Sequence, residues 1–263
     1  MKNRTIYTIL LVLVVVGFWV FENFYTPNPY FKDEGFSTTK TKKDFLPSAT
    51  TGAIVEHKYF TLSYREPFEQ AEWVAYELKK EHLTLDDRKR PYFVVDPKVA
   101  SKSADWRNYK RSGFDRGHLC PAGDRRFSIA AYNETFYTSN ITPQRNDFNA
   151  GIWNRLERKV RQWCKTHGDL YVITGGVLQE GLIQIGEEGV DVPNYFYKVI
   201  YRKHDGKALA FLIPHEETKA SLSNFLVTID SLEQLTQIDF FKNQAIVWQR
   251  ANESKVYRYN WKF

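Results

Sequence analysis

Cysteine and methionine are nearly missing from this chain of 263 residues, which has two of the former and one of the latter. So few cysteines exclude a disulfide framework as the source of stability. No Cys-x-x-Cys pair, glycine-rich phosphate loop or internal repeat occurs, which argues against paired-cysteine metal motifs, P-loop nucleotide chemistry and solenoid folds. Acidic residues are also in deficit, 31 against 37 Lys and Arg, for a net charge of +6. That balance suits a polyanionic partner. It is concentrated as well: between Asp86 and Arg126 stand 11 Lys and Arg against 6 Asp and Glu.

Apolar residues are not scarce. A hydrophobic content of 43% with 16% aromatics is enough to bury one sizeable core. At the N-terminus Lys2 and Arg4 precede an apolar run from Ile6 to Phe21, interrupted only by Tyr7 and Thr8. No small-residue cleavage site follows, so residues 1–22 read as an uncleaved signal anchor, a transmembrane helix whose basic flank keeps the N-terminus in the cytoplasm. The folded part would then lie outside the cytoplasm. As a helix the run is only about 24 Å long against a hydrocarbon core of about 30 Å, so a cleaved signal peptide and a secreted product are the alternative. Residues 23–52, with Pro27, Pro29 and Gly35, read as a flexible tether, and 53–263 as one domain.

Within that domain, Ile54–Tyr64 reads as a strand and Glu69–Lys80 as an amphipathic helix. Short strands are expected at Tyr92–Val95, Arg116–Cys120 and Ser139–Ile141. Asn149–Lys165 is the clearest helix: Ile152, Trp153, Leu156, Val160, Trp163 and Cys164 form one apolar stripe, and Gly168 is the stop. Leu170–Thr174, Tyr195–Tyr201 and Ala208–Ile213 read as core strands, the last two joined by a hairpin at His204-Asp205-Gly206, with a short helix at Ser231–Gln237. The fold class is α+β, a mixed and largely antiparallel sheet with flanking helices.

Chemistry concentrates at Asp115-Arg116-Gly117-His118, with Asn149 31 residues beyond at the head of the long helix. Histidine supplies a base near neutral pH, arginine a fixed charge for phosphate, and asparagine a neutral oxygen for a hard cation. Those are the parts phosphodiester hydrolysis requires. The stretches around that tetrapeptide, Thr135-Phe136-Tyr137, Ser139-Asn140-Ile141-Thr142-Pro143-Gln144 and Asn149 to Glu157 resemble the DNA/RNA non-specific endonuclease family. The likeness runs from about Ala53 to at least Asp239.

The resemblance implies a ββα-metal nuclease fold and hydrolysis of DNA and RNA without regard to sugar. It implies His118 as general base, Asn149 as the direct protein ligand of Mg²⁺ (with Mn²⁺ or another divalent cation as the alternative), and Glu157 as an acidic partner acting through the ion's water shell. Eight residues of unbroken helix put Glu157 about 12 Å from Asn149, which is why direct ligation is not expected. Arg116 would contact phosphate and stabilise charge in the transition state, with Arg155 as a further contact. A second arginine precedes the motif and is Arg88 or Arg90. Asp115 would orient Arg116 or a metal-bound water.

The plainer roles are a helix cap for Asn149 and an ion pair with Arg161 for Glu157. Cys120, two residues from His118, would expose the site to soft metals or oxidation. Cys164 lies about 22 Å along the helix from Asn149, too far for a disulfide if His118 and Asn149 serve one ion, so both thiols are expected free. Two other readings stay open: a catalytically silent, basic surface protein that binds nucleic acid, and a phosphodiesterase for another diester such as a lipid or cyclic nucleotide. A homodimer is compatible with the family, although no face of the sequence indicates one.

Overall fold

A computed structural model describes residues 2–24 and 45–263. Most of the expected tether, residues 25–44, lies outside the described residues. Helix α1 (Lys2–Phe24) is a unit by itself and contains the apolar run. The expected membrane-spanning helix is not supported, because no helix among the described residues is long and apolar enough to cross a membrane. The length of the run gives the reason, since 16 residues fall short of a hydrocarbon core.

The second unit is built on a seven-stranded sheet in which every pairing is antiparallel. In chain order its strands are β1 (Ala53–Glu56), β2 (Thr61–Arg65), β3 (Gln70–Leu78), β6 (Leu170–Gly176), β9 (Tyr195–Arg202), β10 (Lys207–Pro214) and β11 (Leu226–Val227), and they lie side by side in that order. The α+β class holds, and the mixed sheet is corrected to a wholly antiparallel one. Two small ribbons stand outside it: β4 (Asp115–His118) with β5 (Ile141–Gln144), and β7 (Ile183–Ile185) with β8 (Val190–Val192).

Strand alternation divides the core into two layers. Val74, Tyr76, Leu78, Leu170, Val172, Phe196 and Ile200 face helix α4 (Asn154–His167), through Leu156, Val160 and Trp163. Trp73, Ala75, Tyr171, Ile173, Tyr197 and Val199 face helix α5 (Ile229–Thr236) and the loop at Ile238, Phe240 and Phe241. A helix α6 (Ile246–Asn252) follows, and a short helix α2 (Ile129–Glu134) lies between β4 and β5 in the chain.

Burial on both faces explains the largest difference from the sequence reading. The segment read as a helix at Glu69–Lys80 is strand β3, buried at all nine positions. A strand covered on both faces loses the polar alternation that marks it. Its acids are partnered inside: Glu72 accepts from Ser63 Oγ at 2.6 Å and Thr50 Oγ1 at 2.6 Å, and Glu77 pairs with Lys203 at 3.0 Å. The single strand expected at Ile54–Tyr64 is the β1–β2 hairpin, and Tyr92–Val95 contributes one bridge, Val94 with Tyr137. Packing also begins earlier than Ala53: Phe45 stacks on Tyr171 at 4.1 Å, and Trp73 Nε1 donates to Ser48 O at 2.8 Å.

Candidate active site

The β4–β5 ribbon and the helix after it carry the motif. The two strands are in register Asp115 to Gln144 and His118 to Ile141. Gly117 has a steric cause, since a Cβ there would fall 2.2 Å from the buried Gln144 side chain. Asn140 locks the end of the ribbon: its Oδ1 accepts from Cys120 N at 2.8 Å, and its Nδ2 donates to Cys120 O at 3.0 Å and Thr135 O at 2.9 Å.

Arg116 and His118 alternate onto one side of β4. The His118 ring sits edge-on to Phe136 at 4.9 Å and tilted to Phe93 at 5.6 Å. Its Nε2 is shut off from solvent and has no hydrogen-bond partner. Burial, with help from the Arg90 charge, pushes the imidazole down to about 3, so it is a neutral base over the physiological range. Arg116 stacks over Phe93 at 5.2 Å and Trp106 at 5.6 Å, and Arg90 over Phe93 at 5.3 Å and Phe136 at 5.7 Å. Two guanidinium groups and one imidazole therefore share an aromatic frame.

That arrangement separates the two upstream arginines. Arg88 is directed away, its Nε donating to Arg126 O at 2.8 Å and its Nη2 pairing with Asp86 at 3.2 Å. Arg90 is the one brought to His118. Arg155 is likewise occupied elsewhere, donating from Nη2 to Thr218 O at 2.9 Å and Ala220 O at 3.0 Å, where it ties α4 to a loop.

Asn149 is not the start of a regular helix, as expected, but lies in a widened π-type turn, Asn149–Trp153, between a short helix α3 (Asn146–Phe148) and α4. Gly151 breaks the helical path there, with φ −91° and ψ −111°. Such turns are frequent at functional sites, and Glu157 lies on α4 beyond this one. Asp115 orients the amide, accepting from Asn149 Nδ2 at 3.1 Å and from Asn146 Nδ2 at 2.9 Å. The Asn149 carbonyl oxygen is thereby turned away from that bond. Sequence reasoning assigned Asp115 to Arg116 or a metal-bound water; its side-chain hydrogen bonds among the described residues are to the two asparagines.

Glu157 lies half-buried near a charge cluster that sequence reasoning missed. Burial pushes its carboxyl up to about 7, opposed by Lys198 and Arg161. Arg161 Nη1 is 3.9 Å from Glu157 but 2.8 Å from Asp124, so the expected i,i+4 pair is the weaker of its two contacts. Asp124 also accepts from Tyr76 OH at 2.9 Å. Lys198, buried in the middle of β9, donates to Thr174 Oγ1 at 3.1 Å and lies over the Trp153 ring at 4.6 Å. A lysine within Tyr195-Phe196-Tyr197-Lys198-Val199-Ile200 was the available signal.

His215 was also missed. Its Nε2 accepts from Arg145 N at 2.7 Å, at the base of α3, while Nδ1 meets Pro193 O at 2.8 Å. Both cysteines are free and buried, and burial pushes Cys120 up to about 12. A buried neutral thiol is a poor metal ligand and resists oxidation, which corrects the expected sensitivity.

This layout, a strand pair carrying histidine and arginine and a following helix headed by asparagine, lies in an α+β fold shared with a solved endonuclease. The structure, of an EndoG/EndoGI complex, aligns with a TM-score of 0.69 at 30% identity over 74% of this chain and 88% of that one. The sequence pattern of the DNA/RNA non-specific endonuclease family matches residues 37–245, and the chain belongs to that family. Its relatives include the mitochondrial nuclease EXOG of Mus musculus, 35% identical over 68% of this chain and 54% of that protein. Nuclease C1 of Cunninghamella echinulata var. echinulata is 34% identical over 78% and 86%, and mitochondrial endonuclease G of Homo sapiens 33% over 70% and 68%. The chain spans about half the length of the mammalian EXOG nucleases it matches.

Proposed function

We propose that this protein is a metal-dependent, sugar-non-specific endonuclease that hydrolyses phosphodiester bonds in DNA and RNA. The observation that carries the reading is a neutral His118, set beside Arg90 and Arg116 on the strand whose Asp115 orients Asn149. A neutral imidazole beside two fixed positive charges suits a base that must act where a phosphate is held.

A hard divalent cation fits the residues present. Asn149 offers an amide oxygen whose nitrogen is already held by Asp115, and no sulfur or second histidine belongs to the set. Mg²⁺ held there would neutralise charge on the phosphate and the leaving oxygen. Glu157, through water, would steady the hydration shell. Arg116 and Arg90 would hold non-bridging oxygens with planar donor sets that lysine cannot copy. The exposed side of the His118 imidazole would take the proton of the attacking water. None of these groups has a base edge or a 2′-hydroxyl as its necessary partner, which supports low specificity. The apolar run behind Lys2 and Arg4 is proposed as a targeting segment that takes the domain out of the cytoplasm by cleavage and release.

Incubation of the full chain with plasmid, single-stranded DNA and RNA, with Mg²⁺ and with EDTA, tests the assignment. Cleavage of all three that stops in EDTA is expected. Tight binding without cleavage would favour the silent binder, and inert nucleic acid with turnover of a lipid or cyclic diester would favour the other phosphodiesterase.

A further inference from the structure

On the other face of the sheet, three carboxylates converge where nothing in the proposed chemistry uses them. Asp230 and Glu233 stand one turn apart on α5, and Glu253 closes α6. One oxygen from each lies within 4.8 Å of the others. The two helices are stitched at this point, with Asp230 N donating to Glu253 O at 3.2 Å. Glu253 is 8% exposed, and its Oε1 is enclosed with no hydrogen-bond partner. Glu233 uses one oxygen to accept from Phe240 N at 2.8 Å, which leaves the other available.

Like charges are not brought together and buried without compensation. No basic side chain supplies it, since no ion pair to Asp230, Glu233 or Glu253 occurs among the described residues. Asp239 adds a fourth acid to the neighbourhood, and the charged groups that act on Glu253 are Glu233, Asp230 and Asp239, all of one sign. Burial and this repulsion push Glu233 and Glu253 each up to about 7.

We propose that Asp230, Glu233 and Glu253 form a second, non-catalytic site for a hard divalent cation, with Ca²⁺ the preferred ion. Oxygens 2.3–2.6 Å from Ca²⁺ on opposite sides of the ion stand roughly 5 Å apart, which matches the spread of the cluster. All three donors are carboxylates, which disfavours softer metals that select imidazole or thiolate. Glu253, whose Oε1 has no hydrogen-bond partner, can bind through both oxygens, a mode common for Ca²⁺. Mg²⁺ instead demands a near-octahedral shell and keeps its waters.

The ion's work would be structural. Ile229 and Leu232 of α5 pack on the sheet face opposite to that covered by Leu156 and Val160 of α4, so this site is separated by the sheet from the helix that follows Asn149. A cation shared by Asp230, Glu233 and Glu253 would fasten α5 to the end of α6 and cancel their repulsion.

Ca²⁺ binding to the full chain carrying Asn149→Ala, which silences the proposed catalytic site, tests this by equilibrium dialysis and thermal unfolding. We expect one Ca²⁺ per chain with Kd on the order of 10⁻⁴–10⁻³ M or tighter and a Tm that rises with Ca²⁺. Adding Glu253→Gln or Glu233→Gln should abolish that binding and the rise. Each isosteric change removes repulsion, so its Tm without Ca²⁺ should equal or exceed that of the parent, which guards against loss of folding as the explanation. Plasmid nicking by Glu253→Gln alone in Mg²⁺ should match wild type. No Ca²⁺ bound by the Asn149→Ala chain at a few millimolar would overturn the proposal. So would glutamine variants that bind Ca²⁺ like their parent.

Discussion

Asp115 shows how much of the site depends on one acceptor. Its carboxylate fixes the Asn149 amide and the neighbouring Asn146 amide together. Asp115→Ala should therefore leave DNA affinity intact while raising the Mg²⁺ needed for half-maximal cleavage by about 10–100-fold, the usual cost of losing a group that orients a metal ligand. A Mg²⁺ titration of cleavage checks it, and an unchanged requirement would put Asp115 outside the ion's support. Glu157 makes a pH prediction. Its carboxyl, raised to about 7 by burial, is protonated below that pH and ionised above it. A cation favours the ionised form, so Mg²⁺ binding measured by calorimetry should strengthen as pH rises through about 7, and Glu157→Gln should flatten the dependence. The linkage has the opposite sign for the ion-free fold. A raised carboxyl contributes stability that is present below the unfolded value of about 4.3 and lost as pH climbs through the folded one. In the folded protein His118, held down at about 3, stays neutral near pH 7 and does not compete with Glu157 as the titrating group. At this scale the sequence was legible in residue types, but it could not tell Arg88 from Arg90, because only stacking on Phe93 and Phe136 distinguishes them.

Among the elements, the best-read ones had a single buried face. The stripe of α4 and the β9–β10 hairpin are seen in sequence and structure alike. Strand β3 was not legible, since its acids find partners that lie far along the chain, among them Thr50 and Lys203. The π-type turn was hidden for another reason: Gly151 has open space where a Cβ would stand, so no steric demand marks the position. What holds this turn in place is the anchoring at its front. His215 fixes the base of α3 through Arg145 N and Pro193 O, two bonds each contributing about 0.5–1.5 kcal/mol. His215→Ala should lower stability by about 1–3 kcal/mol and weaken Mg²⁺ dependence through Asn149 with KM for DNA unchanged. Denaturant unfolding alongside Mg²⁺-dependent kinetics would separate these effects; a stability loss with normal metal response would limit His215 to packing.

For the whole molecule, composition pointed to a basic chain with one large core, and the structure puts that core on both sides of an antiparallel sheet. The second layer, with its carboxylate cluster, was not legible because Asp230, Glu233 and Glu253 are brought together only when α6 folds back beside α5. Net charge of +6 predicts the character of binding. DNA affinity should fall linearly on logarithmic axes with salt, by a slope of about −0.9 for each phosphate neutralised, and differ little between sequences. Filter binding with catalytically silenced protein checks both; a flat salt response would argue against phosphate contacts as the source of affinity.

The central claim is that a neutral His118 and a cation on Asn149 act together on a phosphodiester. Single-turnover nicking of plasmid by wild type, His118→Ala and Asn149→Ala, each with Mg²⁺ and with EDTA, addresses it most directly. The account predicts that wild type cleaves only with Mg²⁺. Each variant should lose about 10²–10⁴-fold in rate at saturating DNA, with DNA binding retained, and the Asn149 variant should recover in part as Mg²⁺ is raised. Cleavage that persists in EDTA, or a His118→Ala protein retaining more than about a tenth of the wild-type rate, would contradict it.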